Sequence, residues 1–158
     1  MILWYASGAV FVVWNVFQSA GLDYRAVALG GLVPLLDAIV GEQASAHSLL
    51  APTVAMAVVM IGTSGRGRRL ARRRLIGVPI GWYFGIGLSG AFTHQHVFWW
   101  PAFGARFDDA AIWPPLGWAL GLELFGLVAA RWCWTRFGLS DPVRRRTFVR
   151  TGRLALVA

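Results

Sequence analysis

Lysine is absent from this 158-residue sequence, cysteine occurs once, and charged residues make up only 14% of the chain. The single cysteine, Cys133, excludes an internal disulfide and any metal site built from several thiolates. Soluble domains carry about a quarter charged residues, so the low charge and the 57% hydrophobic content exclude an ordinary soluble domain. The composition therefore predicts an integral membrane protein.

Long apolar segments are interrupted by short polar connections along the chain. The hydrocarbon core of a bilayer is about 30 Å thick and needs about 20 helical residues to cross it. We therefore predict an all-α fold, a polytopic integral membrane helix bundle of about five transmembrane helices, from residues 2–20, 26–40, 48–63, 76–92 and 111–132. Residues 1–134 are expected to form this bundle and residues 135–158 a basic cytoplasmic tail. Residues 26–40 either span or re-enter, which leaves the side of the N-terminus open.

All fifteen basic residues are arginines, and most of them fall in two stretches. Six lie between residues 66 and 74 and seven from 131 onward, whereas the connections 38–48 and 93–110 hold only Arg106. Arginine-rich loops stay in the cytoplasm. We therefore predict a multi-pass protein of the bacterial inner (plasma) membrane with loop 64–75 and the C-terminus cytoplasmic. The net charge of +8 then serves topology and contacts with membrane lipids, and nucleic acid is not expected as a partner.

Carboxylates and imidazoles collect at the opposite ends of the predicted segments. They are Asp37, Glu42, His47, His94 and His96. An ionised group in a bilayer costs about 2.5 to 3.5 kcal/mol, which favours a partner for each carboxylate. Oxygen and imidazole ligands together suit a divalent metal ion, with zinc or manganese favoured, and three ligands leave a position open for water. We therefore predict a metal site on the extracytoplasmic side.

Three short motifs stand out in the chain: "VPLLDA" at residues 33–38, "GEQASAHSLL" at 41–50 and "LSGAFTHQHVFWWP" at 88–101. They resemble the motifs "LPDIDH", "GHRGxTHSLL" and "LSHxxxD" leading to "WP" of the YdjM-like (DUF457) family of inner-membrane metal-dependent hydrolases. The resemblance covers residues 30 to 107. It implies a membrane-bound fold, a metal-dependent hydrolytic activity and a lipid-like substrate.

The motifs also depart from the family pattern at ligand positions. Leu35 replaces the first aspartate, Ala38 the following histidine and Gly90 the histidine of "LSH". Glu42 stands where the family has histidine, and His94 where it has aspartate. The histidine common near the family's N-terminus has no counterpart in this chain. The exchanges indicate a rearranged metal site, and the losses indicate a decayed one.

The resemblance implies roles for the residues that match it. Asp37, His47, His94 and Glu42, with His96 as a further ligand, would hold the metal, and whichever of Asp37 and Glu42 is not a ligand would act as general base. The substrate would be a lipid or lipid-linked (phospho)ester at the extracytoplasmic face. Each residue also has a structural interpretation, such as a helix-end hydrogen bond for Asp37 or a solvated loop carboxylate for Glu42.

Two further residues and two other functions remain open. Arg106 could orient a substrate phosphate, and Glu123, near the middle of the last apolar segment, could either support the site or join two helices. Asp108 and Asp109 more simply precede that segment. The alternatives are a non-catalytic membrane subunit or scaffold of cell-envelope assembly, with a membrane-protein partner or a second copy of the chain, and a transporter that uses Glu123.

Overall fold

The computed structural model describes residues 1–37, 45–65, 67–102 and 114–152. Within these ranges the secondary structure is helical and contains no strand, so the all-α prediction is confirmed for this part of the chain. The α-helices are α1 (Ile2–Phe17), α2 (Tyr24–Leu32), α3 (Leu50–Gly62), α4 (Arg69–Leu75), α5 (Gly77–Ser89), α6 (Gln95–Phe98), α7 (Leu116–Arg136) and α8 (Pro142–Thr151). Single 3₁₀ turns lie at Val33–Leu35, Ser45–His47 and Ala91–Thr93.

The prediction of a five-span bundle is wrong. Among the described helices, α7 alone is long and apolar enough to cross a membrane, judged by length and composition. Helix α1 has 16 residues, and α3 and α5 have 13 each. At 1.5 Å per residue these helices extend about 24 and 20 Å, which is short of a hydrocarbon core of about 30 Å.

The helices end earlier than the apolar runs because local backbone chemistry stops them. Pro34 lies in the 3₁₀ turn after α2, and the Val33 N–H bonds the Gly30 carbonyl, three residues back, as the helix tightens. Helix α5 ends at Gly90, whose φ of 74° is a left-handed conformation that glycine adopts without strain. Apolar composition therefore continues past the point where each helix stops.

Helices α2 and α5 pack backbone against backbone. A Cβ at Gly81 would overlap the carbonyl oxygen of Val27, and a Cβ at Gly30 would overlap that of Val78. On α5, Gly81 lies midway between Gly77 and Gly85, which are also buried, so small residues recur every four positions along one face. This spacing lets two helices approach more closely than larger side chains allow. The α2–α5 pair is thus the rigid centre of the described fold.

Aromatic side chains join α1 and the end of α7 to this pair. The rings of Trp14 and Phe137 meet edge to face with their centroids 5.0 Å apart, and the Tyr24 ring lies 5.7 Å from Trp14. Val13 and Val27 are fully buried beside them. Edge-to-face aromatic pairs add to the free energy gained by burial, so this cluster holds the outer helices to the centre.

The two ends of the bundle carry different chemistry. At one end the start of α2, the arginine-rich helix α4 and the end of α8 converge, and the Tyr24 N–H donates to the Gly152 carbonyl at 3.0 Å. At the other end Asp37 faces the Ser45–His47 turn, and α6 lies next to that turn. The arginines of α4 and the described candidates Asp37 and His47 therefore lie at opposite ends of the described fold.

Candidate functional site

Asp37 and His47 form a buried carboxylate–imidazole pair. His47 Nδ1 lies 2.8 Å from Asp37 Oδ2, and the Ala46 N–H donates to the same carboxylate at 3.1 Å. The His47 side chain is 0% exposed and the Asp37 side chain 13% exposed. An ionised carboxylate only accepts hydrogen bonds, so Nδ1 carries the proton in this pair. The imidazole is thereby fixed in one tautomer and one orientation.

The turn that carries His47 is fastened from two sides. The indole N–H of Trp82, on α5, donates to the Ala46 carbonyl at 2.7 Å. The buried Ser48 hydroxyl donates to the Trp100 carbonyl at 2.9 Å, and the Leu49 N–H donates to the Phe98 carbonyl at 3.0 Å. These bonds join the turn to α5 and to the segment around α6.

Ser48 and Trp82 have no role among those predicted from the sequence. Ser48 follows His47 in the "HS" pair of the second motif, which is the signal that could have identified it. Trp82 lies inside an apolar segment, and its one cue is that a tryptophan away from a membrane interface needs a hydrogen-bond acceptor for its N–H. Both residues hold the backbone that carries the imidazole.

The other two histidines line a separate surface pocket. His94 is half-buried, and its Nδ1 lies 3.1 Å from the Thr93 hydroxyl, while His96 is exposed. With their neighbours they border a pocket of about 280 Å³. Across residues 1–37, 45–65, 67–102 and 114–152, no three His, Cys, Asp or Glu residues come close enough together to hold a metal. The described structure therefore does not gather His94 and His96 with the buried pair into one centre.

Several predicted site residues lie outside the described part of the chain. They are Glu42, Arg106, Asp108 and Asp109. Their predicted roles as ligand, base, phosphate contact and helix start remain predictions.

Glu123 binds the beginning of α1. Its two carboxylate oxygens accept the backbone N–H groups of Leu3 at 3.1 Å and Trp4 at 3.2 Å, and the amino group of Met1 lies 3.4 Å away. The first N–H groups of a helix have no partner within the helix, and α1 has no side-chain cap of its own. Glu123 therefore caps α1 from α7, which matches the helix-joining interpretation of this residue.

The geometry of the buried pair suits His47 as one ligand of a divalent metal and Asp37 as the carboxylate that supports it. Metal-bound histidines commonly donate their second ring N–H to a carboxylate, which fixes the ring and raises its basicity. His47 has this arrangement at Nδ1, so Nε2 is the ring nitrogen suited to a metal. Both Asp37 oxygens accept from Ala46, and Oδ2 also faces the imidazole, so Asp37 serves better as the support than as a ligand.

No family model, curated protein or solved structure matches this chain. The family resemblance thus stands on the quoted motifs alone, and the function has to be argued from the site and the surface of the chain itself.

Proposed function

We propose that the protein is a membrane-bound, metal-dependent hydrolase of a lipid or lipid-linked (phospho)ester, with His47 as a metal ligand and Asp37 as the residue that orients it. The observation that carries this proposal is the 2.8 Å hydrogen bond between His47 Nδ1 and Asp37 Oδ2 at a fully buried imidazole. An imidazole that binds zinc is commonly held in place by a carboxylate in this way.

Burial of His47 argues against a role as a free general base. A general base must come within about 3 Å of the proton that it removes, directly or through one water. The His47 side chain is 0% exposed, so it does not present a nitrogen at the surface for such a contact. In this proposal His47 acts instead through the metal that it would hold.

The base and any further ligand would come from the connections that lie outside the described residues, because the described structure does not bring His94 to the buried pair. In sequence, Glu42 lies in the connection between Asp37 and His47. A divalent cation, when bound, supplies Lewis acidity that activates water and polarises the ester. In this assignment Glu42 is the general base, Asp37 keeps the imidazole in its tautomer, and Trp82 and Ser48 hold the turn.

The surface of the described helices supports a multi-pass location in the inner membrane. On α7, Leu116 is 77% exposed, Trp118 72% and Phe125 68%. On α3, Val58 is 63% exposed and Ile61 76%. Large apolar side chains exposed in this number mark a membrane or protein contact. In this location the arginine-rich end of the fold is cytoplasmic.

This location defines the substrate class. The buried pair lies at the end of the bundle opposite the arginines, so the site opens at the extracytoplasmic headgroup level. The bonds within reach at this level are the esters and phosphoesters of lipids and lipid-linked intermediates. A soluble substrate would not need a site built into an apolar bundle.

One observation favours a second function, that of a non-catalytic membrane subunit or scaffold of cell-envelope assembly. The Asp37–His47 pair and the bonds around it tie the Ser45–His47 turn to α5 and to the region of α6. A largely buried polar pair can serve this structural purpose without any metal. In this case the exposed apolar face of α7 would contact a membrane-protein partner or a second copy of the chain.

Hydrolysis in liposomes separates the two functions. The full chain is reconstituted with bacterial phospholipids, and release of fatty acid and of phosphorylated headgroups is measured, with a bis-p-nitrophenyl phosphate assay in parallel. The proposal predicts turnover that a chelator abolishes, that added zinc or manganese restores, and that His47→Ala removes. Asp141→Asn, at the opposite end of the fold, serves as the control and keeps its activity. Folded wild-type protein without turnover, or turnover insensitive to chelation, contradicts the proposal.

A further inference from the structure

We propose that the arginine-rich end of the fold holds a binding site for the phosphate of an anionic phospholipid headgroup. The site is the pocket between the turn before α2, helix α4 and the end of α8, called here the arginine pocket. Its lining residues are Gly21, Asp23, Leu70, Arg73, Arg74 and Thr151. This inference rests on the proposed membrane location and does not depend on hydrolysis.

The size of the arginine pocket fits a headgroup. Its volume is about 250 Å³. One water occupies about 30 Å³ in the liquid, so the pocket has the volume of about eight waters. This is room for a phosphate with part of its glycerol, whereas the acyl chains of a whole phospholipid would have to remain outside.

The acidic residue of the pocket is already paired. Asp23 Oδ2 accepts from Arg25 Nη2 at 2.8 Å and Oδ1 accepts from Arg25 Nε at 3.1 Å. Burial by itself raises the pKa of the Asp23 carboxyl, but the hydrogen bonds and charge of Arg25 and the N–H groups of Arg25 and Ala26 outweigh it, so the pKa lies below its ordinary value. The positive charge of Arg25 therefore largely offsets the negative charge of Asp23, which would otherwise repel an anion in the pocket.

The walls of the pocket are also fixed in place. The Asp23 carboxylate caps α2 by accepting the Arg25 and Ala26 N–H groups. The Arg25 guanidinium also donates to the Val149 carbonyl, which joins the start of α2 to α8. The pocket is thus formed by the fold itself, before any ligand binds.

Two guanidinium groups of the pocket are available for an anion. Among the described residues, no carboxylate lies within 4.0 Å of Arg73 or Arg74. A guanidinium can bind phosphate through two parallel hydrogen bonds, which makes arginine well suited to this ligand. Leu70, which is 62% exposed, adds an apolar wall next to these charges.

This combination identifies a lipid as the source of the phosphate. A free phosphate ion gains nothing from an apolar wall, whereas the glycerol and first methylenes of a phospholipid do. Basic pockets between helices on the cytoplasmic side are suited to anionic headgroups, since the cytoplasmic leaflet carries anionic lipids. The arginine end lies on that side in the proposed orientation.

Binding of short-chain lipids to the full chain in neutral detergent tests the site. The probes are dihexanoyl phosphatidylglycerol, dihexanoyl phosphatidylcholine and inorganic phosphate, each titrated while tryptophan fluorescence or thermophoresis is recorded. Two arginines near an anionic ligand together account for a factor of about 30 in affinity. We therefore expect Arg73→Gln/Arg74→Gln to raise the Kd for phosphatidylglycerol about 30-fold.

A matched variant separates the pocket from general surface charge. Arg145→Gln/Arg146→Gln removes the same charge from α8, at residues that do not line the pocket. It is expected to change the Kd by less than about threefold, because these two charges lie outside the pocket and act on its ligand only through salt-screened solvent. Equal weakening by both variants overturns the site in favour of diffuse attraction. Equal affinity for inorganic phosphate, or for phosphatidylcholine, overturns the anionic lipid as the ligand, and none of these outcomes bears on hydrolysis.

Discussion

Replacing Asp37 by asparagine tests the buried pair while leaving its shape intact. The carboxylate accepts from both the Ala46 N–H and the His47 Nδ1–H. An amide oxygen in the position of Oδ2 can still accept from both donors, but the NH₂ group then takes the position of Oδ1, 3.3 Å from the Ala46 N–H, where donor faces donor. A buried donor without an acceptor costs about 1 to 3 kcal/mol. A loss of about 2 kcal/mol in a protein of this size lowers the Tm by about 4 to 8 °C.

The measurement is thermal unfolding of the full chain in one detergent, followed by circular dichroism. Asp141→Asn is the matched control, since Asp141 caps α8 by accepting the Val143 N–H at 2.9 Å and asparagine caps about as well as aspartate. We expect this variant to unfold within about 0.5 kcal/mol of wild type. If Asp37→Asn also unfolds within that margin, the pair does not hold the turn and the reasoning is refuted.

Four further substitutions test the packing and the two polar ends. Gly81→Ala should destabilise the fold by about 3 kcal/mol or more because its methyl group overlaps backbone, whereas Gly87→Ala, with open space beside it on the same helix, should stabilise it by about 0.5 to 1 kcal/mol in a thermal unfolding assay. Glu123→Gln should cost about 1 to 2 kcal/mol by weakening the cap of α1, and unchanged unfolding would show that the cap contributes nothing. The pKa of Asp23 is lower in the folded state than in the unfolded chain, so its contribution to stability is present above the unfolded-state pKa of about 4 and is lost as the pH falls through the folded-state pKa. Asp23→Asn should therefore remove this acid-induced fall in Tm when Tm is measured against pH.

Helix content could be predicted from the sequence, but helix length could not. Apolar composition measures whether a segment avoids water, whereas the end of a helix depends on single residues. The segment that contains Pro34 tightens into a 3₁₀ turn after nine α-helical residues, and the segment before Gly90 stops after 13. Counting apolar residues alone therefore overestimated the number of spans.

The sequence placed Asp37 and His47 at the same end of the fold because their segments run in opposite directions. The structure puts these side chains 2.8 Å apart. The sequence could not predict which of the two would be the metal ligand and which its support, because this depends on burial and on which ring nitrogen faces the carboxylate. The partner of Glu123 could not be predicted from the sequence either. Its carboxylate oxygens accept backbone N–H groups of α1, and every residue except proline has such a group.

The metal content of the purified chain tests the central claim most directly. The full chain is purified from membranes without chelator, and bound metals are measured by inductively coupled plasma mass spectrometry. The proposal predicts close to one zinc or manganese per wild-type chain, none in His47→Ala, and an affinity about 10- to 100-fold weaker in Asp37→Asn, where the imidazole loses its support. A folded wild-type chain without metal, or a His47→Ala chain that keeps its metal, would contradict it.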